Sequence, residues 1–271
     1  MWKILSLLFI FLSGLCFNGL LLGQTFSGDN LTMRPDLQRH FEGFSGTFVL
    51  YDEKNNQYAV FNPAQSNERL TPCSTFKIYH SLIALESGVV KGSDPDTLIR
   101  WNGIHYPIDS WNKDQTLSSA IANSVVWYYQ ELASRIGSAR MQHYLDRLDY
   151  GNKDLSGGIT QFWLNSSLKI SAKEQVDLLR KLFGYQLPFA RENIDVVRHM
   201  VLLSQNDGIR LYGKTGSDYQ GGKYIMGWFV GCVEKNGSRY YFATNITGKN
   251  GAHGLKAKDI TQNILLEWGI L

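Results

Sequence analysis

The sequence predicts an α+β protein of the sandwich type. One antiparallel sheet is built from both ends of the chain and flanked by helices, and an all-helical lobe is inserted between the sheet-forming segments. Three observations predict it. A β-rich stretch with a polar turn occupies residues 46–62. Helical periodicity dominates from Thr71 to about Gly184. After Asp207 the pattern returns to strands and closes on one amphipathic helix. Strands at both ends with helices between them imply two lobes, and a cleft is expected to run between them.

Taken in order, residues 1–23 read as an export signal. Lys3 supplies the positive start, Ile4 to Leu15 the apolar run, and Gly19 and Gly23 small residues for processing. The run is short for a spanning helix and is interrupted by Ser13 and Gly14, so no lasting membrane association is expected after its removal. Cys16 invites lipid attachment, but Leu15 stands where that chemistry wants a small residue. Residues 24–271 then form the folded part, with a sheet lobe at about 24–66 and 188–271 around a helical lobe at about 67–187.

The first hairpin pairs Gly46–Tyr51 with Gln57–Phe61 across Asn55-Asn56. Helices are expected at Phe76–Leu85, Leu117–Ile136, Ala139–Leu148 and Ser171–Phe183. Thr71-Pro72 reads as a helix start, with Thr71 as cap and Pro72 in the first turn. Strands follow at Ile209–Lys214, Tyr224–Glu234 and Arg239–Asn245, the last two joined by Asn236-Gly237, a strong hairpin signal. The final helix carries Ile260, Ile264, Leu265 and Trp268 on one face.

Composition narrows the function classes. Hydrophobic residues are 44% and charged residues 19%, ordinary for a globular enzyme. A net charge of +3 without a run of Lys or Arg argues against nucleic acid as partner. The six histidines are scattered, with no His-x-His or His-x-x-x-His pair to hold a hydrolytic metal. Of the three cysteines, Cys16 leaves with the signal, and Cys73 and Cys232 are open to either a bridge or two buried thiols.

Ser74-Thr75-Phe76-Lys77 carries the chemistry. A serine followed one helical turn later by a lysine is an activated nucleophile for acyl transfer. Desolvation and the helix dipole disfavour the ammonium form of Lys77, leaving an amine able to act as a base or to combine with carbon dioxide. Far downstream, Lys214-Thr215-Gly216 offers a cation, a hydroxyl and a close backbone approach to a carboxylate-bearing ligand; alone it would read as a turn at a strand end. Ser124 is either a relay hydroxyl or a helical residue bonded to its own backbone. Trp163 is core packing whose indole N–H needs a partner.

Ser74-Thr75-Phe76-Lys77, Ser124-Val125-Val126, Tyr150-Gly151-Asn152, Phe162-Trp163-Leu164 and Lys214-Thr215-Gly216, in this order, closely resemble the class D, oxacillinase-type, serine β-lactamases. The stretches Trp127–Gln130, Ile170–Val176 and Gly227–Gly231 agree, so the resemblance spans nearly everything after the signal. It implies the penicillin-recognising serine-enzyme fold and a secreted or periplasmic bacterial enzyme acting on small β-lactams. Ser74 would be the nucleophile and Lys77 would be N-carboxylated, its carbamate the general base. Trp163 would donate to that carbamate, and Ser124 would pass a proton to the leaving nitrogen. Lys214 and Thr215 would hold the substrate carboxylate, beside Gly216, and the N–H groups of Ser74 and Ser217 would form the oxyanion hole. Val126 and Leu164 would line the site apolarly, while Tyr150 and Asn152 support the loop of Trp163. No metal or organic cofactor is implied, only carbon dioxide on Lys77.

Two departures stand out. Where many relatives carry an arginine for the substrate carboxylate, this chain has Ala257 between Lys256 and Lys258, either of which could substitute without arginine's planar fork. Cys73 adjoins the nucleophile where a small residue is usual. Two rivals share the superfamily. A sensor domain that acylates and stays acylated would carry a long membrane-spanning portion ahead of it, and a D,D-peptidase would not need Trp163 in its Phe-Trp-Leu setting. Substrate range would follow from cleft residues such as Trp111, Val126, Leu164 and Tyr219; oligomeric state is left open.

Overall fold

The computed structural model describes residues 30–92 and 97–271. The export signal and Cys16 lie outside the described residues.

The sheet is ordered β1-β3-β2-β7-β6-β5-β4. Its strands are β1 (Leu31–Met33), β2 (Ser45–Asp52), β3 (Gln57–Phe61), β4 (Leu202–Asn206), β5 (Ile209–Gln220), β6 (Lys223–Lys235) and β7 (Ser238–Thr247). The helices are α1 (Pro63–Asn67), α2 (Lys77–Glu86), α3 (Leu117–Ala122), α4 (Val126–Ile136), α5 (Ser138–Leu148), α6 (Ala172–Phe183), α7 (Arg191–Met200) and α8 (Gly254–Glu267). Both ends of the chain meet in one register, because β2 pairs antiparallel with β7 from Ser45↔Thr247 to Asp52↔Tyr240. The expected α+β architecture therefore holds.

Local chemistry accounts for the turns. Asp52 Oδ1 accepts the Asn55 amide at 3.1 Å, and Asn56 turns back at φ 51° to enter β3. Asn236 and Gly237 both have positive φ (51° and 80°), the geometry a two-residue hairpin needs between Lys235 and Ser238. Ser171 caps α6 by accepting from the Glu174 amide, and the Glu174 side chain reciprocates.

Period-two alternation divides the core between the two faces of the sheet. Phe48, Leu50, Phe242 and Ile246 pack under Leu37, Phe41, Ala257, Ile260, Ile264 and Leu265. Val49, Tyr51, Tyr241 and Ala243 turn to the other face, toward α6 and the helical lobe. Within that lobe α2 is buried from Lys77 to Leu85.

Several elements differ from expectation. The helix expected over Leu117–Ile136 is two helices, broken at Asn123–Val125, where Ser124 sits at φ 57°. Thr71 is no cap: a 3-10 turn over Cys73–Phe76 begins at Pro72 and runs into α2, and the Thr71 hydroxyl donates instead to the Leu164 carbonyl. The strand expected to end at Lys214 continues to Gln220, because its partner β6 pairs with it throughout. α7 and β4 were not expected. α7 buries Ile194 and Val197 and packs Val196 and Met200 partly against the core, and β4 is mostly exposed. β1 pairs parallel with β3, so the sheet is antiparallel except at this short edge.

β5 and β6 approach closely where glycines face each other, Gly213 opposite Gly231. A Cβ on Gly231 would lie 2.0 Å from the Tyr212 carbonyl oxygen and 2.8 Å from the Phe242 ring. Gly231→Ala is expected to cost on the order of 2–3 kcal/mol. Thermal denaturation should read this as a Tm lower by roughly 4–12 °C; an unchanged Tm would contradict the close approach.

Candidate active site

Three segments meet at the edge between sheet and helical lobe. The first is the 3-10 turn Cys73–Phe76. Between Thr71 and Leu85, Ser74 alone is part-exposed; every neighbour is buried. The turn is held rather than relaxed, since Cys73 adopts φ 50°, a conformation a non-glycine residue keeps only when its surroundings enforce it. Thr75 Oγ1 donates to the Pro72 carbonyl at 2.7 Å and accepts from Gln175 Nε2 at 2.9 Å, tying the turn to α6. Trp228 Nε1 donates to the Thr71 carbonyl at 2.9 Å, tying it to β6. Ser74 is the second residue of its turn, so its N–H has no helical carbonyl behind it and is free to serve a ligand.

Lys77 Nζ lies 2.7 Å from Ser74 Oγ. Lys77 is fully buried. Burial foremost, and then the charge of Lys214, hold its ammonium well below the ordinary lysine range, so the charged form is disfavoured beside the serine hydroxyl.

The second segment is the break between α3 and α4. Its left-handed residue turns the Ser124 hydroxyl out of the helix and toward β5, where Lys214 Nζ donates to Ser124 Oγ at 3.1 Å and to the Thr215 carbonyl at 3.0 Å. Ser124 is thus not the helical residue bonded to its own backbone that the sequence also allowed. The break is pinned by Trp111, whose Nε1 donates to the Asn123 carbonyl at 2.9 Å. Val126 opens α4, half-buried. Burial brings the Lys214 ammonium down to about 8.

The third segment is β5 with the start of α8. Gly216 is required here: a Cβ would lie 3.0 Å from the Pro72 carbonyl and 3.3 Å from Cys73 Cβ. Ser217 Oγ accepts from the Gly254 amide at 2.9 Å, joining β5 to α8. Lys214, Thr215 and Lys258 line one cavity of about 190 Å³, together with Leu255 and Phe229. Ala257 is buried under the sheet, so the lysines flanking it point differently, and Lys256 does not line that cavity. A second hollow of about 350 Å³ is lined by Cys73, Leu164, Ser217, Asp218 and Tyr219. A hollow of about 680 Å³ lies elsewhere, against Trp127, Glu131 and Arg135.

Trp163 comes from the loop between α5 and α6. It is fully buried against Phe162, Phe76 and His80, with ring centres 5.1, 6.3 and 5.2 Å away, and its Nε1–H has no partner. Tyr150-Gly151-Asn152 shapes this loop. Asn152 donates to the Ser167 carbonyl at 2.8 Å and accepts the Lys169 amide at 2.8 Å. At Gly151 (φ 52°) a Cβ would collide with the Lys169 carbonyl at 1.9 Å.

Cys73 and Cys232 are both free and buried, which closes the question of a bridge. Burial pushes the Cys73 thiol up to about 12, so it does not compete with Ser74 as a nucleophile. Reading the sequence alone missed three contributors. His80 lies one turn beyond Lys77 and is fully buried with both ring nitrogens unpartnered. His253 caps α8 by accepting the Lys256 amide at Nδ1 (3.1 Å). Asp218 lines the second hollow beside Cys73. The available signal for His80 was a polar residue in an otherwise apolar helix.

The chain was then set against known proteins. The model of the penicillin binding protein transpeptidase domain matches residues 46–266. Probable beta-lactamase YbxI of Bacillus subtilis is 42% identical over 88% of this chain and 86% of its own length. The methicillin resistance mecR1 protein of Staphylococcus aureus is 38% identical over 87% of this chain, which spans 40% of that relative. Among solved structures, a class D beta-lactamase from Bacillus subtilis superposes with TM-score 0.82 at 41% identity, covering 87% of this chain and 96% of that one. The C-terminal domain of the Bacillus licheniformis BlaR penicillin-receptor superposes with TM-score 0.85 at 36% identity, covering 91% and 99%. These matches run through both lobes and every motif of the site: the chain belongs to the class D β-lactamase family of serine enzymes, built on the penicillin-binding transpeptidase domain.

Proposed function

We propose that this protein hydrolyses the β-lactam amide of penicillin-type antibiotics through a Ser74 acyl-enzyme, acts outside the cytoplasm after loss of residues 1–23, and confers resistance. One observation carries the reading: Ser74 Oγ stands 2.7 Å from the buried Nζ of Lys77, whose ammonium form burial disfavours. The class D names of its relatives support the same chemistry.

The substrate carboxylate is received by the ammonium of Lys214 and the hydroxyl of Thr215, with Lys258 on the cavity that both also line. Lys214, which holds Ser124 as well, ties that contact to the site of Ser74. Ser74 Oγ gives its proton toward Lys77 and bonds to the carbonyl carbon, and the N–H groups of Ser74 and Ser217 receive the charge that develops on oxygen. The C–N bond then breaks, and the Ser124 hydroxyl, held by Lys214 Nζ, delivers a proton to the leaving nitrogen. Carbon dioxide held as a carbamate on Lys77 would supply a general base beside Ser74 for both acylation and deacylation. The unpartnered Nε1–H of buried Trp163 fits that group, since it is a donor at the same apolar pocket in want of an anionic acceptor. Val126 and Leu164, both half-buried, limit the water reaching Ser74. No metal or organic cofactor enters this scheme.

The likeness to the BlaR penicillin-receptor domain favours a second reading, a receptor that acylates once and holds the acyl group. Turnover separates the two. With excess chromogenic cephalosporin the purified protein is expected to complete many turnovers per Ser74; a burst that stops near one equivalent would establish the receptor reading, or a D,D-peptidase. Trp163→Phe is expected to lower kcat severalfold in air-equilibrated buffer and to recover on adding bicarbonate, whereas indifference to bicarbonate would remove the assigned role of the indole. Lys258→Ala is expected to raise KM for a penicillin roughly tenfold, as loss of one charge-assisted contact does. Lys256→Ala should change it less than twofold, and the reverse order would move the carboxylate site.

A further inference from the structure

His80 is the buried titratable group that the chemistry above leaves unused. It follows Lys77 by three residues, so both side chains leave α2 on one face. The two converge on Tyr129: its ring centre lies 5.3 Å from Lys77 Nζ and 5.1 Å from the His80 ring. His80 also packs edge-on against Trp163 at 5.2 Å. Neither of its ring nitrogens has a partner, and neither has Trp163 Nε1. Tyr129 Oη and Ser81 Oγ bond each other at 2.7 Å, and Lys77 Nζ is on Ser74. His80 and Trp163 thus bring three unpartnered buried nitrogens into one aromatic cluster whose Tyr129 ring also packs on Lys77, and burying a polar atom without a partner is costly. Burial, and after it the neighbouring Lys77, keep the imidazole uncharged down to about pH 3, so it always carries one N–H to give.

We propose that His80 is a second anchor of the Lys77 carbamate, donating an imidazole N–H to it alongside the indole N–H of Trp163. This rests on the carbamate reading above and deepens it. In forming the group, the Lys77 nitrogen lone pair bonds to the carbon of carbon dioxide and one C=O electron pair moves onto oxygen. The displaced N–H proton leaves to water, so amine and carbon dioxide give carbamate and a proton. An anionic oxygen then answers the unpartnered donors that a bare amine leaves unused. His80 is a positioning residue: it acts on the substrate only through Lys77.

The test is a titration of the whole protein with ¹³C-labelled bicarbonate, reading the carbamate carbon signal by NMR, with turnover measured on the same samples. His80→Leu is expected to raise the half-saturating bicarbonate at least roughly tenfold, in step with Trp163→Phe. His80→Asn, which keeps a donor, should fall between His80→Leu and the unaltered protein. Tyr79→Phe, which removes another buried unpartnered hydroxyl from the same helix, should leave it unchanged. Should His80→Leu fail to fold, His80→Phe carries the same measurement with the ring volume kept. A half-saturation for His80→Leu equal to that of the unaltered protein would overturn the proposal, as would an equal rise in Tyr79→Phe, which would mark a packing effect. If the unaltered protein turns over β-lactam yet binds no labelled carbon, the carbamate reading falls and this inference with it.

Discussion

Everything at the site depends on sealing an amine inside apolar surroundings. Lys77 has no exposed surface, and the helix that carries it is buried from end to end of its first nine residues, Lys77 to Leu85. A protonated amine there is expensive to keep, so its surroundings disfavour the ammonium form. Its hydrogen-bond partner is Ser74, the one residue between Thr71 and Leu85 that is not buried. Lys214, close enough to repel a charge on Lys77, reinforces the effect. The same lysine donates to the Ser124 hydroxyl, so one cation both disfavours charge on Lys77 and holds Ser124 in place.

Keeping water from the amine requires close backbone contact, and glycines provide it. Gly216 lets β5 lie against Pro72 and Cys73, and Gly254 lets α8 begin directly over Thr215 and Gly216, its missing Cβ sparing a 2.8 Å clash with the Gly216 carbonyl. Three segments far apart in the chain are thereby stacked at backbone distance. The left-handed conformations at Cys73 and Ser124 belong to the same economy: each re-aims a chain that would otherwise continue straight, and each is held by the packing around it.

The site is also asymmetric in polarity. Lys214 and Lys258 line one cavity, and Asp218 lines the other together with Ser217.

The amino-acid sequence by itself determined what local rules can carry. Period-two and period-3.6 patterning revealed both hairpins and most helices, and Asn236-Gly237 specified a turn because two consecutive positive φ values suit few other residue pairs. Helical spacing put Ser74 beside Lys77, and residue order disclosed the family. Tertiary structure decided the rest. Ser124 leaves its helix because Lys214, Trp111 and the strand behind them outweigh helical propensity, a competition that no window around residue 124 contains. β5 runs on past Lys214 because β6 supplies its hydrogen bonds. Lys258 rather than Lys256 meets the cavity because Ala257 must face the core. His80 entered the site only when Tyr129 and Trp163 packed against it from two other elements. Such outcomes depend on partners distant in sequence, and burial, which disfavours the charged forms of Lys77 and Lys214, exists only once those partners have met.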